Sequence, residues 1–109
     1  MVTLANTQNF NEFELHLRAI LSLPIFEIIQ ERAGASAVIL ASADSNNPTF
    51  TGIENIAFQP KTDFRLFGKP TSRPYRRMGV VLNYDTLDTP IEEIVEKAKK
   101  IATLVKVNS

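Results

Sequence analysis

Residues 61–77 read Lys-Thr-Asp-Phe-Arg-Leu-Phe-Gly-Lys-Pro-Thr-Ser-Arg-Pro-Tyr-Arg-Arg, and Met-Gly-Val-Val-Leu follows at 78–82. Phe64, Leu66 and Gly68 alternate with Arg65, Phe67 and Lys69, a period of two that argues for a strand. Pro70 and Pro74 bracket a turn-forming segment. The apolar run at 78–82, bounded by Asn83 and Asp85, argues for a second strand. The predicted unit is a pair of strands joined by a basic loop, with Lys69, Arg76 and Arg77 at one end.

Charge is concentrated in this unit. It holds six of the twelve basic residues (Lys61, Arg65, Lys69, Arg73, Arg76, Arg77) against one acid, Asp63, in a chain whose twelve acids bring the net charge to zero. Arginine offers a planar fork of donors and lysine a mobile point charge, so the cluster suits a phosphate or a carboxylate. A solvated loop of no function has the same composition, and the pattern alone leaves both readings open. Phe64, Phe67 and Tyr75 interleave with the cations as they would in a nucleic-acid surface. The absence of any overall positive excess argues against nucleic acid.

At 109 residues the chain fits one domain, long enough to bury roughly two thirds of its unfolded surface. It has no cysteine, which excludes disulfides, thiolate metal sites and cysteine nucleophiles, and its single histidine, His16, excludes a multi-histidine metal site within the chain. No apolar run approaches the roughly 18 residues of a membrane span, and the start lacks a basic region followed by an apolar core. The expectation is a soluble cytoplasmic protein.

Outward from the basic unit, Met1–Leu4 reads as the end of a strand whose beginning is missing. Asn9 with Glu12 resembles a capping box, and Phe10, Phe13, Leu17, Ile20 and Leu21 recur at helical spacing. The predicted helix runs from Phe10 to Ser22 and stops before Pro24. His16 lies off its apolar stripe, and a structural, hydrogen-bonded role is preferred to catalysis because no partner acid or nucleophile is evident. Ile25–Gln30 reads as a short strand or extended segment, Glu31–Gly34 as a turn and Ala35–Leu40 as a buried strand. Gly34-Ala35-Ser36 is a weak phosphate-loop signal and is better read as structure.

Ala43–Thr49 reads as a loop and Phe50–Phe58 as one or two helical turns. Thr89-Pro90-Ile91-Glu92 is the clearest helix start, with Thr89 as N-cap and Pro90 at the first helical position. Ile91, Ile94, Val95, Ala98, Ile101 and Ala102 form its stripe. Acids at 92, 93 and 96 precede lysines at 97, 99 and 100, which favours the helix dipole and explains the carboxylates without metal chemistry. Val105–Val107 reads as a closing strand.

Almost end to end the chain resembles the C-terminal portion of the formate-dependent phosphoribosylglycinamide formyltransferase family, purine-synthesis enzymes with the ATP-grasp fold. The resemblance is carried by Met-Val-Thr-Leu at 1–4, Phe-Glu-Leu-His-Leu-Arg-Ala-Ile-Leu-Ser-Leu-Pro at 13–24 and Gly-Ala-Ser-Ala-Val-Ile-Leu at 34–40. Arg-Leu-Phe-Gly-Lys-Pro at 65–70, Arg-Arg-Met-Gly-Val at 76–80 and Val-Lys-Val at 105–107 complete it. The segment at 65–70, followed at fixed distance by the Arg76-Arg77 pair, is its most specific mark. The segment at 13–24 is shared with other ATP-grasp purine enzymes.

The resemblance implies an α+β fold. Residues 24–109 would form the small antiparallel β barrel-sandwich that caps ATP-grasp enzymes, with a C-terminal helix, and residues 1–23 a strand stub and helix from the end of the ATP-grasp domain. It implies that Lys69, Arg76 and Arg77 hold glycinamide ribonucleotide, that no catalytic or metal-binding residue lies in this chain, and that ATP and magnesium bind outside it. It also implies missing N-terminal and ATP-grasp domains, a homodimer when full length, and no formyltransferase activity in the isolated 109 residues. Ser22 stands where the family usually has glycine, Phe26 where small residues are common, and the linker 71–75 lacks the family's glycine and acids while adding Arg73. Two alternatives stand beside this reading: the cap domain of another ATP-grasp purine-pathway carboxylase, and a stand-alone anion- or RNA-binding module.

Overall fold

The strand of apolar residues at 78–82 becomes the centre of the molecule. A computed structural model describes residues 7–108. In it β4 (Arg77–Asp85) lies between β1 (Ala33–Leu40) and β3 (Thr62–Leu66), antiparallel to both. Met78, Val80, Val81 and Leu82 are all essentially inaccessible to solvent, so the alternating positions of β4 are buried on both faces. A strand covered on both sides reads as a continuous apolar run, which is why 78–82 carries no alternation.

The basic unit therefore is an antiparallel β3–β4 pair, in the register Thr62↔Asn83 to Leu66↔Gly79. Asn83 does not end the second strand, as its polarity suggested; β4 continues to Asp85. The buried Asn83 amide donates to the Thr62 hydroxyl (2.9 Å) and the Lys61 carbonyl (3.1 Å), which satisfies it inside the sheet.

Helix α3 (Ile91–Ala102) packs on β1 and β4 and buries Ile94, Ala98 and Ile101. Thr89 is not its cap. Pro90 takes that position without a side-chain bond, while the Thr89 hydroxyl pairs with that of Thr86 (3.0 Å) in the preceding turn. One apolar cluster joins Ile39, Ile56, Val81, Ile101 and Val105, flanked by Phe50, Ile53 and Phe64. Phe50 belongs to β2 (Thr49–Thr51), which pairs with β5 (Lys106–Asn108), and only residues 53–57 form the short helix α2 (Ile53–Ala57). Between them Gly52 caps α2 with φ 89°, its α-carbon against the backbone of Leu104 and Val105.

The α+β class with antiparallel sheets holds as expected. Among the described residues the strands form a three-stranded sheet and a two-stranded one, with no closed barrel. The predicted turn at 31–34 is not there, because Ala33 and Gly34 already pair with Asp85 and Tyr84 in β1. For the same reason Gly34-Ala35-Ser36 is strand and cradles nothing.

Helix α1 (Glu12–Ile20) is shorter than predicted and is capped by Asn11, whose carboxamide accepts the Glu14 N–H at 2.8 Å. Asn9 has a different task. Its side chain donates to the Glu27 carbonyl (2.9 Å) and accepts the Ile29 N–H (2.8 Å), so residues 7–9 lie against an extended 27–32 segment. Among the described residues that segment makes one antiparallel bridge, Gln8 to Gln30, and no regular strand. Ser22, just past α1, has φ 55°, a conformation that suits glycine, which accords with the residue expected there. No residue of α1 is buried, and Phe13, Leu17, Ile20 and Leu21 are exposed with Phe26 beyond them. The strand expected at Met1–Leu4 lies outside the described residues. No described helix is long and apolar enough to cross a membrane.

Candidate anion-binding site

The loop between β3 and β4 is fastened to the chain at 41–45, beyond the end of β1. The Tyr75 N–H donates to the Ala41 carbonyl (2.8 Å) and the Ala41 N–H to the Arg76 carbonyl (2.9 Å), continuing the β1–β4 ladder past the last paired residue. Further along, Ser45 and Ser72 exchange both backbone bonds (2.8 and 3.1 Å). The Ser72 hydroxyl, buried, donates to the Ala43 carbonyl at 2.9 Å. Within the loop the Arg76 N–H closes a turn on the Arg73 carbonyl (3.0 Å).

These fastenings gather the cations. Lys69, Arg73, Arg76 and Arg77 line one surface cavity of about 440 Å³, together with Pro74 and Tyr75 and with no acidic residue. The register between β1 and β4 breaks here, from Ile39↔Gly79 to Leu40↔Arg77, a bulge that leaves Met78 unmatched. Arg76 precedes β4, in the turn closed on Arg73, and Arg77 opens the strand, and both line the cavity.

Neutralisation divides the six basic residues of the stretch. Lys61 pairs with Asp85 at 2.9 Å and Arg65 with Asp63 at 2.7 Å. Lys69, Arg73, Arg76 and Arg77 have no carboxylate partner among the described residues. Arg76 is oriented instead by Thr71, whose hydroxyl and carbonyl accept from Nη1 at 2.8 and 3.0 Å, leaving the other side of the guanidinium fork for a ligand. The Lys69 ammonium stands 5.5 Å from the centre of the Phe67 ring. Four cations sharing a cavity repel one another, so a ligand that brings negative charge is favoured there.

Tyr75 stands out in backbone and in side chain. Its φ is 65°, in the left-handed region that costs a non-glycine residue roughly 1–2 kcal/mol. The residue is 83% exposed.

Two other cavities that gather several charges each contain an acidic residue; the one lined by Lys97, Lys99 and Lys100 also holds Glu96. The one lined by Arg32, Lys61, Tyr84 and Asp85 contains the Lys61–Asp85 pair, and its Arg32 lies over the Tyr84 ring at 4.8 Å. The Lys61 bond and the Thr86 N–H hold the Asp85 carboxyl below its usual range. His16 is exposed on α1 and makes no hydrogen bond among the described residues, so the structural role expected for it is not seen there. Nor do the described residues contain a group of three or more histidine, aspartate or glutamate side chains able to hold a metal.

The sequence placed Lys69, Arg76 and Arg77 at one end of a hairpin, and they do share a cavity. It did not reveal Ser72, Thr71 or the segment 41–45. Their contribution consists largely of bonds to partners up to 35 positions away along the chain, and no local pattern announces it.

The family model described as PurT, C-terminal, matches residues 34–105. A formate-dependent phosphoribosylglycinamide formyltransferase from Flavobacterium psychrophilum is 82% identical over 108 residues, which is 99% of this chain and 28% of that protein. The protein of the same name from Bacteroides thetaiotaomicron is 55% identical over 98% of this chain and 28% of its own length. Among solved structures, N5-carboxyaminoimidazole ribonucleotide synthetase from Thermotoga maritima superposes with a TM-score of 0.80 at 27% identity, over 94% of this chain and 28% of that one. The chain thus spans somewhat more than a quarter of the length of the relatives it matches.

Proposed function

The chain belongs to the PurT C-terminal family, and on that premise we propose that it is the C-terminal part of a formate-dependent phosphoribosylglycinamide formyltransferase. The observation that carries the site assignment is the shared cavity: Lys69, Arg76 and Arg77 converge without an acidic neighbour. Glycinamide ribonucleotide carries a phosphate, which an arginine fork and a lysine pair through charge-assisted bonds. In the whole enzyme ATP would phosphorylate formate to formyl phosphate. The ribonucleotide's amine would then attack the formyl carbon, forming the N–C bond as inorganic phosphate leaves.

The role of this chain's residues in that reaction is to bind and orient the nucleotide. ATP and magnesium bind to other parts of the protein, and the 109 residues alone are inactive. The exposed apolar stripe of α1 supports assigning residues 1–23 to the neighbouring ATP-grasp domain, which would cover Phe13, Leu17 and Ile20. The 82% identity to a protein of this name, against 27% to the ribonucleotide synthetase, favours the formyltransferase over another ATP-grasp cap.

The test is Arg77→Ala in the whole protein. Removing one charge-assisted contact costs about 1.5–3 kcal/mol, so the KM for glycinamide ribonucleotide should rise roughly ten- to a hundredfold, with the KM for ATP unchanged. An unchanged KM for the ribonucleotide would remove the site from this cavity.

A further inference from the structure

Tyr75 combines a strained backbone with an exposed ring beside four cations. Its φ of 65° is imposed from both sides, by its own N–H on the Ala41 carbonyl and by the Arg73–Arg76 turn. Glycine or asparagine would occupy that conformation with less strain. The ring adds nothing to the buried core, so the fold does not explain an aromatic side chain at this position. Strain of this kind persists where surroundings enforce it, and it concentrates at binding sites.

The position of the ring suggests what it does. Tyr75 and Pro74 line the basic cavity and also a second one of about 310 Å³, whose other walls are Leu40, Ala41 and Ser42. Tyr75 thus lies at the border between a cationic compartment and a mainly apolar one. A phosphomonoester held by Lys69, Arg76 and Arg77 must extend its organic portion somewhere, and the border places an aromatic face beside the phosphate.

We propose that Tyr75 is a specificity-determining residue of this site, its ring packing against the sugar of a ribose 5-phosphate ligand whose phosphate occupies the basic cavity. The inference rests on the anion-site reading given above and adds a residue to it. A sugar presents C–H groups to an aromatic face, whereas inorganic phosphate has nothing to offer it. Tyr75 therefore discriminates phosphorylated sugars from free phosphate, and the cations do not.

The experiment uses the whole protein with Tyr75→Gly, Tyr75→Phe and, in parallel, Arg77→Ala. The KM for glycinamide ribonucleotide and the inhibition constant of inorganic phosphate against it are measured for each. Tyr75→Gly, which relieves the strain and keeps the fold, should raise the KM five- to tenfold and leave phosphate inhibition within twofold. Tyr75→Phe should stay within twofold on both. Arg77→Ala should weaken both ligands. If Tyr75→Gly leaves the KM unchanged while Arg77→Ala raises it, the role of Tyr75 is refuted and the anion site stands. If Arg77→Ala changes neither, the site reading itself fails. A Tyr75→Phe loss equal to that of Tyr75→Gly, or equal weakening of phosphate and ribonucleotide by Tyr75→Gly, would overturn packing of the ring on the sugar.

Discussion

Gly52→Ala should be among the most damaging small substitutions in this chain, and the reason can be worked from geometry. Gly52 links β2 to α2 with φ 89°, and an added Cβ would overlap the Leu104 carbonyl oxygen and stand 3.0 Å from its carbon. Left-handed backbone costs alanine roughly 1–2 kcal/mol. Forcing a methyl group against packed neighbours costs about 1–3 kcal/mol more. The stiffer unfolded chain of the alanine variant returns about 0.4–1 kcal/mol. The net loss is about 2–4 kcal/mol, a large share of the roughly 5–15 kcal/mol typical of a domain. Neither contact can yield cheaply, because both are backbone atoms at the junction of α3 and β5. Urea unfolding of the 109-residue chain measures the loss as a lower midpoint at constant slope. Gly68→Ala is the control: its Cβ would meet nothing within 4 Å and its φ lies outside the left-handed region, so stability should be unchanged or slightly raised. A loss below about 1 kcal/mol at Gly52, or equal losses at the two sites, would refute the reasoning.

Two further outcomes test the supports of the basic loop and of β4. Ser72→Ala removes the hydroxyl bond to the Ala43 carbonyl and should cost about 1 kcal/mol, and in the whole protein, on the function proposed above, it should raise the KM for glycinamide ribonucleotide severalfold at unchanged kcat; full retention of stability would mean that the backbone bonds to Ser45 alone hold the loop. Asp85 has its pKa lowered in the folded state by Lys61, so its contribution is present above the unfolded carboxylate pKa of about 3.9 and is lost as pH falls through the folded value. Between pH 5 and 3 the melting temperature of Asp85→Asn should therefore fall less steeply than that of the wild type, and parallel curves would exclude the Lys61 pair as a contributor.

The parts of the fold that were legible in the sequence are those in which local chemistry and tertiary contacts agree. The centre of the α3 stripe, Ile94, Ala98 and Ile101, is buried where its periodicity places it, although Ile91 at its start is exposed, and the continuous apolar run of β4 is the central strand. Misreadings arose where a distant partner decided the matter. Phe50 sits in a helix-like pattern but pairs with Val107 at the other end of the chain. Thr89 has the chemistry of a cap, but its hydroxyl pairs with that of Thr86 instead. Asn9 looked like a cap and tethers the 27–29 segment, while Asn11 caps. At the candidate site the charged side chains could be read directly, since charge is written in composition. Which of the cations were already neutralised was legible only in part, because Asp63 lies two positions from Arg65 whereas Asp85 reaches Lys61 across 24 positions.

The fastening of residues 72–76 to 41–45 bears on how quickly and how tightly an anion can be held. A free loop of this length would have to become ordered each time a ligand arrived, at about 1–2 kcal/mol for each residue fixed. Here the Ser45–Ser72 and Ala41–Tyr75 bonds make the loop an extension of the sheet, so that ordering is completed during folding. Association then resembles docking onto a preformed surface, in which the ligand's attraction to the cations is realised as affinity with little deduction for arranging them. Mutations at 41–45, which line no part of the basic cavity, should accordingly weaken binding through the entropy of the loop while leaving every cation in place.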